Sequence, residues 1–97
     1  MCFQFCWDEN KNQSNYRKRR VFFEIATLVF DDPNSVMLLD RVVDGEQRWH
    51  TIGLVEEVLL LLVVHTIQEE DQEEMVRIIS AREVTAHERR LYEDGEA

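Results

Sequence analysis

Apolar side chains recur along the chain with two periods, and the changes of period divide it into elements. Phe3, Phe5 and Trp7 alternate with Cys2, Gln4 and Cys6, the period of a strand with one apolar face. Asp8 follows as a helix N-cap, its carboxylate able to accept from first-turn N–H groups, and a polar helix is predicted from Glu9 to about Arg19. Tyr16 is its only large apolar residue, so its ends and neighbours must hold it rather than an apolar stripe. Phe22, Ile25, Ala26 and Val29 have the spacing of one helical face and predict a second, short helix packed on a sheet. Asp31-Asp32-Pro33-Asn34 ends it, because proline drives the residue before it out of helix.

From Val36 the pattern turns extended. Val36 to Val42, the turn pair Asp44-Gly45 and Gln47 to Val55 predict a β-hairpin. Val58 to Thr66 is almost continuously apolar and rich in valine, which favours a central strand buried on both faces. The acidic tract Gln68 to Glu74 is expected as a connection to a further strand, Met75 to Arg82. Thr85 and Glu88 match a capping box and open a last helix to about Tyr92. The expected architecture is α+β: an antiparallel sheet of four to five strands, two N-terminal helices packed on it, and a short C-terminal helix. One domain over residues 1–97 accounts for the length.

Charge complicates this picture before it helps. The formal net charge is −9, which argues against a nucleic-acid partner. However, Glu56, Glu57, Glu69, Glu70, Asp71, Glu73 and Glu74 gather at two predicted turns, and Glu93, Asp94 and Glu96 form an acidic tail. With those set aside, ten acids face eleven bases. Arg17 to Arg20 are consecutive bases, and Arg77, Arg82, Arg89 and Arg90 cluster late, so a local basic surface is compatible with the composition. The longest apolar run, Val58 to Val64, is seven residues, against the about 20 of a spanning helix. The N-terminus lacks the pattern of a secretory signal, and a cytoplasmic protein with reduced thiols is expected. Cys2 and Cys6 stand roughly 13 Å apart on an extended strand, beyond disulfide reach. His50, His65 and His87 are too scattered to complete a zinc site with them, and no metal or cofactor is expected.

Two segments carry candidate chemistry. Glu46, Arg48 and His50 alternate along one strand, which brings a carboxylate, a guanidinium and an imidazole to one face. RNA cleavage through the 2′-hydroxyl needs such groups: a base for its proton, an acid for the leaving 5′-oxygen and cations for the phosphate. An exposed polar hairpin face opposite Asp40 and Arg41 accounts for the same residues without catalysis. Arg77 and Arg82 stand near the two ends of a strand and frame Ser80, where guanidinium groups can bind phosphate bidentately. Surface ion pairs with Glu46 or Glu74 are the alternative for them. Arg17 and Lys18 can bind RNA backbone or merely finish a helix. Trp7 and Trp49 read as core, and His65 as a hydrogen-bonded core histidine.

Three blocks, in order, carry a likeness to a known family. Trp7-Asp8 is followed by Lys11, Asn15, Lys18, Val21 and Phe23-Glu24; next comes Val29-Phe30-Asp31-Asp32-Pro33. The third block runs from Gly45-Glu46 and Arg48 through Thr51-Ile52-Gly53 and Leu61 to Thr66. It continues in Arg77-Ile78-Ile79-Ser80-Ala81-Arg82, Glu88 and Tyr92-Glu93. From Phe5 to about Glu93 the chain resembles the BrnT toxins of type II toxin-antitoxin systems. The resemblance implies a RelE-like fold and metal-independent endoribonuclease activity that inhibits translation and growth. It also implies neutralisation by a BrnA-type ribbon-helix-helix antitoxin, which alone reads operator DNA. The implied site residues are Glu46, Arg48, Arg77, Ser80 and Arg82, with Lys11 nearby. Our reading of their roles has Arg77 and Arg82 clamp phosphate while Glu46 or His50 moves protons beside Arg48, and Lys11, Arg17 and Lys18 bind RNA. The chain departs from the family at Arg19-Arg20, where a His-Gly pair is usual, and at Glu83, where a basic residue is usual. Those departures bear on activity, and the alternative is a weakened toxin that serves as a binding module and corepressor with its antitoxin. A purely structural or oligomeric domain is the third reading.

Overall fold

The computed structural model describes residues 3–95, Glu70 as backbone only. Cys2 and Glu96 lie outside the described residues. Strand β1 (Phe3–Cys6) leads into helix α1 (Glu9–Arg19) and the short helix α2 (Phe23–Ala26), which tightens into a 3₁₀ segment (Thr27–Asp31). Strands β2 (Val36–Val43), β3 (Glu46–Val55), β4 (Leu59–Glu70) and β5 (Glu73–Glu83) then meander, and helix α3 (Ala86–Asp94) closes the chain. The sheet order is β1-β5-β4-β3-β2, so the most apolar strand is central as its composition demands.

One expectation fails at the sheet edge. The sheet is mixed rather than antiparallel, because β1 pairs parallel with β5, Phe3 beside Glu74 and Cys6 beside Arg77. Strand direction is set by where the chain re-enters the sheet, and an isolated N-terminal strand carries no local sign of it. The acidic tract is corrected too. Glu69, Glu70, Glu73 and Glu74 lie in strands, and the turn is only Asp71-Gln72. Pairing of Glu69 with Glu74 continues the ladder past the apolar run despite like charges facing each other.

The second helix also differs. Phe23, Ala26 and Val29 are the fully buried residues, whereas Ile25 is exposed. Their spacing of three matches the 3₁₀ winding, which has three residues per turn and so rotates the buried stripe off Phe22 and Ile25. These residues pack with Leu61, Val63, Val76, Ile78 and Ala81 on one sheet face. On the other face Ile52, Leu60 and Leu62 pack with Leu91 and Tyr92 of α3. Gly53 is required by the first of these layers: a Cβ there would meet the Val29 carbonyl oxygen at 2.8 Å. Trp7 is half-buried and packs against the first core, edge-on to Phe23, as its strand pattern suggested, whereas Trp49 is half-buried and outside both cores, contrary to its pattern.

Helix α1 buries two asparagines instead of an apolar stripe. Asn12 Oδ1 accepts from Phe23 N at 2.7 Å. Asn15 Nδ2 donates to the carbonyls of Val21 at 2.8 Å and Ala81 at 3.0 Å. Asp8 caps the helix by accepting from the Asn10 and Lys11 amides. The other end is strained, since Arg20 occupies the left-handed region with φ 63°. Its guanidinium lies over the Tyr16 ring, 5.6 Å from the centroid. A left-handed non-glycine residue costs roughly 1–2 kcal/mol, more than the about 0.5–1 kcal/mol of an exposed cation–π contact. Arg20→Gly is therefore expected to raise the denaturant midpoint, a gain of about 0.5–1 kcal/mol, and a lower midpoint would refute the strain.

Candidate active site

Two irregularities in strand pairing assemble a polar face. Along β5, Val64 of β4 faces Ser80 but His65 faces Ile78, so Ile79 is an extra, bulged residue. Without it Arg77 and Ser80 would point to opposite sides of the sheet. With it, Ile78 and Ala81 both enter the helix-side core while Arg77, Ser80 and Arg82 all face the other way. Asn15 pins the strand just past the bulge, because its Oδ1 also accepts from Ala81 N at 3.2 Å. In β2 the register slips between Leu39 and Arg41, which leaves Asp40 as the extra residue and sets Arg41 opposite Arg48. Glu46, Arg48 and His50 reach the same face by ordinary alternation.

Arg77 Nη2 donates to Glu46 Oε1 at 2.7 Å, and Arg48 Nε stands 3.7 Å from the same oxygen. His50 Nε2 lies 3.1 Å from Asp40 Oδ2, which also accepts from Arg41 Nε at 3.0 Å. Burial works against the Asp40 charge, yet the Arg41 hydrogen bond and His50 together hold its carboxyl below the ordinary value of 3.8. Asp40, Arg41, Arg48, Val64 and Ser80 line a depression of about 240 Å³. Arg48 Nε and Thr66 Oγ1 are buried without a hydrogen-bond partner. Thr66 sits beside Arg77 in the ladder. One residue beyond the Trp49–His65 pair, the β3–β4 register brings it level with Arg48. Cys6, Arg77, Thr66, Arg48 and Arg41 thus form one transverse row across the sheet, with three guanidinium groups in it.

The other candidates are distributed differently. Arg82 binds Glu88 bidentately, at 2.8 and 2.9 Å, and Glu88 also completes the capping box with Thr85. The Arg82 fork is thereby used to seat α3. Lys11 and Lys18 face β5 across a groove that Arg19 and Ser80 also line, while Arg17 is exposed and off it. Sequence reasoning does not place Arg41 or Thr66 in the site. The β2 bulge hides Arg41, and Thr66 has the pattern of a residue ending an apolar strand. A larger cavity, about 550 Å³, lies at the far end of the sheet between Asp31, Asp32, Glu56 and Glu57, and its acids would repel phosphate. Among the described residues no cluster of three or more His, Cys, Asp or Glu is placed to hold a metal ion, and no helix is long and apolar enough to cross a membrane.

This arrangement lies inside the region that a known family shares. The sequence profile of the ribonuclease toxin BrnT of type II toxin-antitoxin systems matches residues 7–88. The chain belongs to the BrnT family. The crystal structure of the Brucella abortus ribonuclease toxin BrnT is similar in fold, with a TM-score of 0.65 and 24% identity. The likeness covers 87% of this chain and 99% of that one. No curated protein gives a significant match. Every cleft residue of this BrnT-family chain falls within the matched span.

His65, on the opposite sheet face, is a core residue here. It is fully buried, its Nε2 lies 2.7 Å from Thr51 Oγ1, and its ring meets Phe30 edge-on. Burial pushes its pKa down to about 4 from 6.5; the Thr66 carbonyl opposes the shift and the His50 charge adds to it. The unfolded chain therefore binds a proton that the folded chain refuses between those values. The stability is whole above 6.5 and is lost as pH falls toward 4. Glu88, held at about 2 chiefly by Arg82, acts only below its ordinary 4.5. Going from about pH 7 to about pH 5 is expected to cost roughly 2 kcal/mol in denaturant unfolding, with a much smaller loss in His65→Gln. Equal pH slopes in the two proteins would show that His65 is not the group responsible.

Proposed function

We propose that the polar half of this face is a RelE-like endoribonuclease centre that cuts RNA by side-chain acid–base chemistry. The observation that carries the reading is that Arg41, Arg48 and Ser80, from three strands, line one depression, with Arg77, Glu46 and His50 beside it on the same sheet face. A phosphodiester in the cleft would lie among the guanidinium groups, which suit the spread charge of a pentacoordinate phosphorus. Glu46 or His50 accepts the 2′-hydroxyl proton, O2′ bonds to phosphorus, the P–O5′ bond breaks, and the departing 5′-oxygen is protonated by the other group. The products are a 2′,3′-cyclic phosphate and a 5′-hydroxyl.

The Glu46–Arg77 pair does not obstruct this. Its side chains are 32% and 40% exposed, a setting in which an ion pair contributes about 0–1 kcal/mol, so a bidentate phosphate can displace the carboxylate. Arg82 acts at one remove, by seating α3 through Glu88. RNA decay would inhibit translation and growth in the cytoplasm, and a BrnA-type ribbon-helix-helix antitoxin would neutralise the chain and carry it to operator DNA.

The test is induced expression of the chain alone in bacteria beside Arg48→Ala and Arg77→Ala, following growth and bulk RNA. Growth arrest with RNA decay is expected, and each variant should lose about 10²–10³ in cleavage rate if it stabilises the transition state. Normal growth with folded wild-type protein would instead support the corepressor reading.

A further inference from the structure

Helix α1 and strand β5 enclose a second depression, about 260 Å³, lined by Lys11, Ser14, Lys18, Arg19, Ile79 and Ser80. No acid lines it, in a chain with 20 acids and 11 bases. Among the described residues, none of its three cations takes part in a salt bridge. Lys18 and Arg19 stand in the last turn of α1, where the helix dipole favours cations. Lys11 does not share that explanation, because it lies near the N-terminus, where the dipole disfavours positive charge. Its position two turns before Lys18 puts both ammonium groups on the face turned toward β5.

Ser80 lines this groove and the cleft alike, so the two adjoin. The Ile79 bulge creates that junction. β1 ends at Cys6, level with Arg77, and beyond it α1 meets β5 through Asn15 at Ala81. A chain passing from groove to cleft must therefore bend around a strand edge. A double helix, with a persistence length on the order of 150 base pairs for DNA, resists so tight a bend, whereas an unpaired strand follows it freely.

We infer that the α1–β5 groove is a second phosphate site, holding the backbone of a single-stranded polyribonucleotide next to the phosphate in the cleft. This rests on the ribonuclease reading of the cleft and adds the strandedness and path of its substrate. The test uses the full chain and a short 2′-O-methyl RNA single strand, which has no free 2′-hydroxyl and so reports contact without cleavage. Its binding is followed by fluorescence anisotropy across a salt series. Each phosphate contact contributes about 0.7 to the log–log salt slope, so Lys11→Gln with Lys18→Gln should flatten it by about 1.4. Both lysines are exposed and the variant should fold normally, which circular dichroism checks. Arg89→Gln with Arg90→Gln, an equal loss of charge on exposed positions of α3, should leave the slope as it is. An unchanged slope in the lysine variant, no binding by the wild type, or equal competition from duplex RNA would overturn the inference. A flattened slope in a protein that leaves RNA uncut would support the groove and retire the ribonuclease reading of the cleft.

Discussion

The extra residue in β5 is the constraint on which that strand's share of the site depends. A strand alternates strictly, so a sheet that must bury both Ile78 and Ala81 on one side can do so only by absorbing one residue between them. The bulge at Ile79 absorbs it, and its by-product is that Arg77, Ser80 and Arg82 emerge together on the other side. β1 stops short of Ala81, and the Asn15 amide meets the edge groups of that residue as a neighbouring strand would. The same amide fixes α1 against β5, so the helix with no apolar stripe is positioned by the strand edge it completes.

The sheet face opposite α1 is divided by what covers it. Its lower part, Ile52, Leu60 and Leu62, is apolar and roofed by α3. No α3 residue is buried, yet the helix is held at both ends by polar contacts: Arg82 with Glu88, and Tyr92 Oη donating to Asp32 Oδ2 at 2.6 Å. The upper part carries the three guanidinium groups, and there Arg48 Nε and Thr66 Oγ1 are buried without a hydrogen-bond partner. Polar atoms of this kind favour a hydrogen-bonding ligand over an apolar one. Stability and candidate chemistry thus occupy adjoining halves of one surface.

Charge follows the same partition. The acids concentrate at strand ends, at the β3–β4 and β4–β5 turns and around the far cavity, whereas the cations of the cleft and the α1 groove lie together near Ser80. A net charge of −9 therefore describes the whole chain and misdescribes this region. Distances of a few ångströms decide what a phosphate meets, because charges beyond about 10 Å are largely screened at moderate salt.

Much of this could be read from the chain itself. The Asp44-Gly45 hairpin, the Asp8 cap, the Thr85–Glu88 capping box, the central apolar strand and the shared face of Glu46, Arg48 and His50 all follow from local rules. Turn chemistry and side-chain period act over a few residues and need no knowledge of neighbours. The parallel entry of β1, the 3₁₀ stripe of Phe23, Ala26 and Val29, and the bulges at Asp40 and Ile79 depended on tertiary structure. So did the allotment of Arg77 to Glu46 and Arg82 to Glu88. Each is a choice of register or partner between segments far apart in sequence, and only the packing of both sheet faces at once selects it. The residue types of the site were legible in the sequence; their convergence was decided by two inserted residues, Ile79 in β5 and Asp40 in β2.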